Sequence, residues 1–190
     1  MLTLSDAELW ESFKSGNKEA YAHMYQQQIR PLLAYGLRIC PLQDIVEDCI
    51  HDLFVDLWRR KAHLGTSDNI KFYLFKSLKR RLHTAMKHPG FSLEYFHKHP
   101  DNKVSAFEEE LIQKEIVSGF AKNLQAAFQQ LTPKQKEVIH LKFYDGLSYE
   151  EIAELLNINY QSVRNTIYRA MTELRKQLLL SCFFLLYVFM

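Results

Sequence analysis

Glycine and proline are scarce in this chain, which has six Gly and five Pro among its 190 residues. Turn-rich β folds and disordered low-complexity segments usually contain more of both, so these two classes are disfavoured. Alternating runs of β-branched residues, which predict strands, are also missing. Long stretches rich in Leu, Lys and Glu instead have apolar residues at intervals of three or four. We therefore predict an all-α fold.

Cysteine is rare as well, since Cys40, Cys49 and Cys182 are an odd number with no spacing typical of a metal site. Free thiols in a reducing cytosol fit this usage better than a disulfide framework does. The first ten residues, MLTLSDAELW, include Asp6 and lack the apolar core of a secretory signal. We expect a cytoplasmic protein without a secretory peptide.

Groups that support catalysis or metal binding are missing too. His83, His88, His97 and His99 lie close together in sequence, but no cysteine is near them and their spacing fits no common zinc site. The chain has no recognisable nucleophile–base pair and no glycine loop of the phosphate-binding kind. We expect no bound metal, no cofactor, no small-molecule substrate and no catalytic residue.

The net charge of +2 excludes little, but the charges are unevenly distributed. Residues 70–87 include six Lys or Arg and no acid, whereas residues 1–69 include seven basic and ten acidic residues. Phe72 and Tyr73 interrupt the basic run, and we expect Phe72 to lie in the core. Aromatic rings among basic residues can stack on unpaired bases while the basic groups contact phosphate. The run predicts a site for single-stranded nucleic acid, and a merely solvated helix face is the alternative.

The helical patterns fall into two groups with a break between them. The break, HPGFSLEYFHKHPDNKV, has two proline turns and no apolar periodicity. A capping-box spacing at Ser105 and Glu108 then opens the second group. We predict two small helical domains at residues 1–87 and 105–177, a flexible linker at 88–104 and an apolar tail at 178–190.

The stretch LSYEEIAELLNINYQSVRNTIYRAMTELRK, residues 147–176, is one amphipathic helical pattern that three residues interrupt. Ser148 and Glu151 have capping-box spacing at its start. Within the interruption, Asn157 tolerates the left-handed conformation of a tight turn, and Asn159 can cap a new helix. The pattern therefore predicts two helices joined by a short turn.

The second of these helices has an apolar stripe and a polar face. The stripe is Val163, Ile167, Ala170 and Leu174. A helix-turn-helix places such a polar face in the major groove, where Arg reads guanine and Asn or Gln reads adenine. An ordinary helical hairpin with a solvated face is the alternative. The candidate duplex contacts are Tyr160, Gln161, Ser162, Arg164, Asn165, Tyr168 and Arg169, of which Arg169 is better placed for phosphate.

Taken whole, residues 6–178 resemble the extracytoplasmic-function group of bacterial sigma factors. EDCIHDLFVDLW, at residues 47–58, looks like the helix of that family that binds core RNA polymerase. NIKFYLFKSLKRRL, at residues 69–82, is similar to the segment that opens and reads the −10 element. Residues 131–176 are similar to the region that binds the −35 element, and this match is the most specific. The chain departs from the family at Asn157, where the turn usually has Gly.

The resemblance implies that the partners are core RNA polymerase, promoter DNA and an anti-sigma factor. It implies contacts with core polymerase at Glu47, Asp48, His51, Asp52 and Phe54. It also implies contacts with the −10 element at Lys71, Tyr73, Lys76, Lys79 and Arg80.

Two other functions stay open on the sequence. One is a dimeric helix-turn-helix regulator that binds duplex DNA without polymerase, and the other is a protein-interaction module with no role on DNA. The thirteen-residue tail is uncharged, and as a helix it spans about 20 Å against the roughly 30 Å of a bilayer core. We expect this tail to continue the preceding helix and to be covered by the chain itself or by an anti-sigma factor, without stable membrane insertion.

Overall fold

The computed structural model describes residues 4–87 and 118–188, and all of the regular structure in these two ranges is helical. Backbone contacts divide the chain into two compact units, Met1–Glu109 and Glu110–Met190. The predicted all-α fold with two helical domains is confirmed. The segment predicted as a linker, residues 88–104, lies outside the described residues, as do His88, His97 and His99.

The described part of the N-terminal unit has four α-helices. They are α1 (Asp6–Lys14), α2 (Lys18–Ile39), α3 (Gln43–Arg60) and α4 (Ile70–Ala85), with a single 3₁₀ turn at Lys61–His63 after α3. Side chains cap three of them. Ser5 and Glu8 form a capping box at α1, Asn17 accepts from two amides of α2, and Asn69 accepts from the amide of Phe72 in α4.

The core of this unit forms where α2 packs against α3 and α4. Tyr35 of α2 and Phe75 of α4 are both buried, and their rings stack with centroids 4.3 Å apart. Gly36 lets α3 approach closely, because a Cβ atom there would collide with Cγ1 of Val46. The expectation that Phe72 fills the core was wrong. It is half-buried, since Leu74 occupies the buried position on α4.

Helix α1 holds the loop that precedes α4. Trp10 donates its indole N–H to the carbonyl oxygen of Gly65 at 2.8 Å. The amide of Ile70, at the first turn of α4, donates to the Asp6 carboxylate at 2.9 Å. A negative charge beside a helix N-terminus is stabilising, because the amides there have no partners within the helix. The start of α4 is therefore fixed by residues that precede it by more than fifty positions.

The C-terminal unit has four further α-helices among its described residues. They are α5 (Ser118–Gln129), α6 (Pro133–Ile139), α7 (Tyr149–Leu156) and α8 (Tyr160–Val188), and a π-helical turn at His140–Tyr144 extends α6. Thr132 and Gln135 form a capping box at α6, where Pro133 occupies the first helical position. The first half of α8 is anchored through a core cluster of Ala127, Leu131, Ile139, Ala170 and Leu174.

The tail continues the last helix, as the sequence predicts, since α8 runs without interruption to Val188. The side chains of the tail lie outside the described residues, so the expectation about what covers them stays a prediction. Within the described part of the chain, every helix is too short or too polar to cross a bilayer.

Candidate nucleic-acid interface

Helices α7 and α8 form a helix-turn-helix, and each of the two helices begins at a side-chain cap. At the start of α7 the Ser148 amide donates to the Glu151 carboxylate at 2.7 Å, and the Glu151 amide donates to Ser148 Oγ at 3.1 Å. Asn157 ends α7 with φ +54° and ψ +48°, the left-handed conformation that asparagine tolerates better than most residues. Asn159 then accepts from the Ser162 amide at 2.7 Å and so caps α8.

The predicted division of α8 into two faces is confirmed by burial. Val163, Ile167, Ala170 and Leu174 are all buried. Most of the candidate duplex contacts lie on the exposed side, and Tyr168 is 73% exposed. Ser162 is half-buried. The exposed candidates are Tyr160, Gln161, Arg164, Asn165, Tyr168 and Arg169.

Hydrogen bonds order part of this polar face. Gln161 Nε2 donates to Asn165 Oδ1 at 3.1 Å, one helical turn along. Thr166 Oγ1 donates to the carbonyl oxygen of Ser162 at 2.7 Å. Thr166 therefore bonds to the helix backbone, whereas Gln161 and Asn165 bond to each other.

Two residues that the sequence did not single out lie beside the start of this face. The ring of Tyr149, the first residue of α7, is 5.8 Å from that of Tyr160, measured between centroids. The Lys142 ammonium lies 4.7 Å from the Tyr149 centroid and donates to the carbonyl oxygen of Leu147 at 3.1 Å. In the sequence, Lys142 is visible only as a basic residue six positions before Ser148. The fold brings it near α8 through Tyr149.

The candidate single-strand contacts all lie on α4 but differ in their surroundings. Lys76, Lys79 and Arg80 share one side of the helix, because residues three and four apart are neighbours on a helix surface. Arg80 is exposed, and Lys71, Lys76 and Lys79 are half-buried. The ring of Tyr73 packs against Trp10 with centroids 4.9 Å apart, so Trp10 covers part of Tyr73.

One cation of the basic run is tied to α3. Arg81 forms an ion pair with Asp56, and the hydrogen bond and charge of Arg81 hold the pKa of the Asp56 carboxyl below its usual value. This pair lines a small cavity of about 70 Å³ together with Tyr73 and Ser77.

The candidate polymerase contacts lie on α3, and one of them is not on the surface. Phe54 is only 2% exposed, because Tyr25 and Tyr21 of α2 cover it with ring centroids 4.8 and 6.1 Å away. It is a core residue, so the prediction that it contacts a partner was wrong. Tyr25, 41% exposed, is the aromatic residue that reaches the surface there. The exposed candidates are Glu47, Asp48, His51 and Asp52.

Comparison with known proteins relates this site to transcription initiation. Residues 121–174, which contain the helix-turn-helix and the exposed polar face of α8, match the family described as Sigma-70, region 4. The RNA polymerase sigma factor YlaC of Bacillus subtilis (strain 168) is 21% identical over 85% of this chain and 94% of its own length. The ECF RNA polymerase sigma factor SigK of Mycolicibacterium vanbaalenii is 23% identical over 83% of this chain and 81% of its own length.

Solved structures share the fold at low sequence identity. CnrH, in a complex with the cytosolic domain of CnrY, superposes with a TM-score of 0.56 at 18% identity, over 91% of this chain and 96% of that chain. The sigma factor RpoE of Bartonella quintana, in a complex with the anti-sigma factor NepR, superposes with a TM-score of 0.50 at 18% identity, over 83% of this chain and 96% of that chain. The region 4 match, the two alignments over most of the chain and the shared fold agree. The region 4 match and the two sequence alignments support the predicted resemblance to the extracytoplasmic-function group of RNA polymerase sigma factors.

Proposed function

We propose that this chain is a promoter-recognition subunit of RNA polymerase that acts in the cytoplasm. Its N-terminal domain, residues 1–87, binds core polymerase and opens the −10 element, and its C-terminal domain, residues 105–177, grips the −35 duplex. Residues 88–104 link the two. The observation that carries the proposal is the exposed polar face of α8, inside the segment that matches Sigma-70, region 4. The chain itself contributes no catalytic group and directs the chemistry of the polymerase that it binds.

The −35 contacts follow from the position of each side chain on α8. Recognition helices read base edges with their N-terminal residues, which here begin at Tyr160. We assign Arg164 to a guanine, because a guanidinium can bond guanine O6 and N7 together. Arg169 stands further along the helix and is assigned to phosphate. The full set of proposed contacts is Tyr160, Gln161, Ser162, Arg164, Asn165, Tyr168 and Arg169.

The −10 contacts combine cations with an aromatic ring. Lys76, Lys79 and Arg80 share one side of α4, where they can hold the phosphates of an unpaired strand. Lys71 and Tyr73 lie nearer the start of the helix. Since Trp10 packs on Tyr73, only the uncovered part of that ring is available to an unpaired base.

The polymerase contacts are assigned to the exposed acidic side of α3, which carries Glu47, Asp48, His51 and Asp52. Tyr25 adds an exposed ring next to that side. We also propose an anti-sigma factor as a regulatory partner, since solved relatives are held by the cytosolic domain of CnrY and by the anti-sigma factor NepR.

The test is to add the purified full-length chain to core polymerase and assay transcription from a bare promoter. The proposal expects a stable complex and specific initiation. A dimeric regulator binds the duplex equally well without polymerase and supports no initiation, so that outcome contradicts the proposal. Phosphate contacts make duplex affinity fall steeply as salt rises. A protein-interaction module with no role on DNA does not show this salt-dependent duplex binding.

Two arginines of α8 are expected to respond differently to alanine. Arg164→Ala should cost about 1–3 kcal/mol at a matched −35 site and relax sequence choice. Arg169→Ala should weaken binding to all sequences about equally and reduce the salt dependence by about one phosphate contact. Fluorescence anisotropy with single-base variants of the duplex over a salt series separates the two effects. An unchanged preference in Arg164→Ala contradicts its role as a reader.

The cations of α4 are expected to act in strand opening rather than in duplex binding. Replacing Lys76, Lys79 and Arg80 together with alanine should reduce open-complex formation more than it reduces binding to the −35 duplex. Tyr73→Ala should act in the same direction, because it removes a stacking surface. Permanganate reactivity of unpaired thymines measures opening, and unchanged reactivity returns these residues to an ordinary solvated helix face.

A further inference from the structure

Two amide side chains on the reading face are joined before any DNA is bound. Gln161 and Asn165 are both exposed, and Gln161 Nε2 donates to Asn165 Oδ1 at 3.1 Å. They are four residues apart, so they are neighbours on the helix surface. The hydroxyl of Thr166, the residue after Asn165, does not compete for these amides, because Thr166 Oγ1 donates to the carbonyl oxygen of Ser162.

The direction of this hydrogen bond gives the two amides unequal roles. A side-chain amide has two N–H groups and one carbonyl oxygen. Gln161 uses one N–H and keeps the carbonyl oxygen and the other N–H, which are the two groups that bond adenine N6 and N7 together. Asn165 has turned its own carbonyl oxygen towards Gln161. Asn165 Oδ1 still has a second lone pair, but a base that bonded it would share that oxygen with Gln161, whereas the carbonyl oxygen of Gln161 takes no part in the bond between the two residues.

The position of Gln161 on the helix agrees with this assignment. It is the second residue of α8, and recognition helices contact base edges through their N-terminal residues. A glutamine has three side-chain torsions to fix, and fixing an exposed flexible side chain opposes binding. A hydrogen bond that already orients the amide lowers that cost.

We propose that Asn165 is a positioning residue that holds the amide of Gln161, and that Gln161 alone sets a preference for adenine at one base pair of the −35 duplex. This inference rests on the proposed function, because it requires the polar face of α8 to lie in a major groove. It changes the role of Asn165 from reader to support. Gln161 and Asn165 then act as one unit at a single base pair.

Four substitutions separate the support from the reader, and the first of them, Gln161→Ala, removes the reading amide. Asn165→Ala removes the acceptor that orients Gln161. Asn165→Asp keeps an acceptor at the same place and adds a negative charge, which disfavours every DNA sequence alike. Gln161→Glu leaves only acceptors at the reading position, and a carboxylate accepts from the N4 amino group of cytosine. The proposal therefore expects Gln161→Glu to move the preference from adenine to cytosine.

The experiment is selection of duplexes from a randomised pool by the full-length chain and each variant. The wild type should prefer adenine at one base pair by about tenfold or more. Asn165→Ala should reduce that preference by roughly three- to tenfold, at the same base pair that Gln161→Ala affects. Asn165→Asp should keep the preference within about twofold while lowering the affinity for all sequences. The double variant with alanine at both positions should lose no more preference than Gln161→Ala does.

Different base pairs affected by Gln161→Ala and Asn165→Ala overturn the proposal, because Asn165 then reads a base of its own. An unchanged preference in Asn165→Ala overturns it as well. If the wild-type chain selects no sequence and Arg164→Ala has no effect on binding, the proposed function of α8 is itself wrong. That result differs from a failure of the proposed roles of Gln161 and Asn165. Circular dichroism of each variant checks that α8 is intact, and since both side chains are exposed, unchanged spectra are expected.

Discussion

Replacing Asp48 and Asp52 together with arginine is expected to abolish assembly with core polymerase while the chain stays folded. Both side chains are exposed on α3, and the apolar stripe of that helix is untouched. The double change shifts the local charge by four units on the surface proposed to meet the polymerase. Like charges brought together in an interface cost several kcal/mol, on the order of a hundredfold or more in Kd. Co-purification with core polymerase measures the loss.

A matched control reverses two other exposed acids of the same unit. Glu11→Arg with Glu19→Arg makes the same change in net charge on α1 and α2. It breaks a surface ion pair between Glu11 and Lys14 and removes an acid from the first turn of α2, each worth about 1 kcal/mol or less at an exposed position. Assembly should survive in this control. Normal assembly in the Asp48 and Asp52 variant, or equal loss in both variants, contradicts the assignment of the α3 surface.

The helix-turn-helix is the part of the molecule that the sequence predicted best, because its determinants are local. Ser148, Glu151, Asn157 and Asn159 act within three or four residues of their own positions. The apolar stripe of α8 follows the helical period directly. The bond between Gln161 and Asn165 is also local, but only the coordinates give its direction.

Features that depend on packing between helices were not predictable from periodicity. The apolar stripe of α3 follows the helical period, and its residues Val46, Ile50, Leu53 and Leu57 are buried. Phe54 lies at the edge of that stripe, and its burial is decided by Tyr21 and Tyr25 on another helix. The period of a single helix carries no information about which neighbour covers an edge position.

The contacts of α1 show the same limit over a longer distance. The Ser5 cap of α1 is a local feature, since its partner Glu8 is three residues away. The bond from the Ile70 amide to Asp6 spans 64 positions and has no sequence pattern. This unpredicted contact bears on function, because it fixes the start of α4, the helix proposed to open DNA.

Trp10→Ala is expected to cost the N-terminal unit about 3–5 kcal/mol in free energy of unfolding, the largest stability effect that we predict. Trp10 is 1% exposed and packs against Phe13 and Tyr73 with ring centroids 5.5 and 4.9 Å away. Its indole N–H also donates to the carbonyl oxygen of Gly65. Domains are stable by only about 5–15 kcal/mol, so the substitution removes a large share of the total. Urea unfolding measured by tryptophan fluorescence tests it.

Fluorescence isolates the N-terminal unit because the two tryptophans of the chain, Trp10 and Trp58, both lie there, and Trp58 remains in the variant. The control Trp10→Phe keeps most of the ring packing and removes the donor to the Gly65 carbonyl. Because Gly65 is exposed and water can replace that donor, the lost hydrogen bond should cost only about 0.5–1.5 kcal/mol. Since that bond fixes the loop before α4, Trp10→Phe should also slow strand opening while −35 duplex binding stays unchanged. If Trp10→Ala lowers the free energy of unfolding by less than about 1 kcal/mol, α1 does not stabilise the loop before α4 as described. Equal costs for the two variants would instead assign the stabilisation to the hydrogen bond alone.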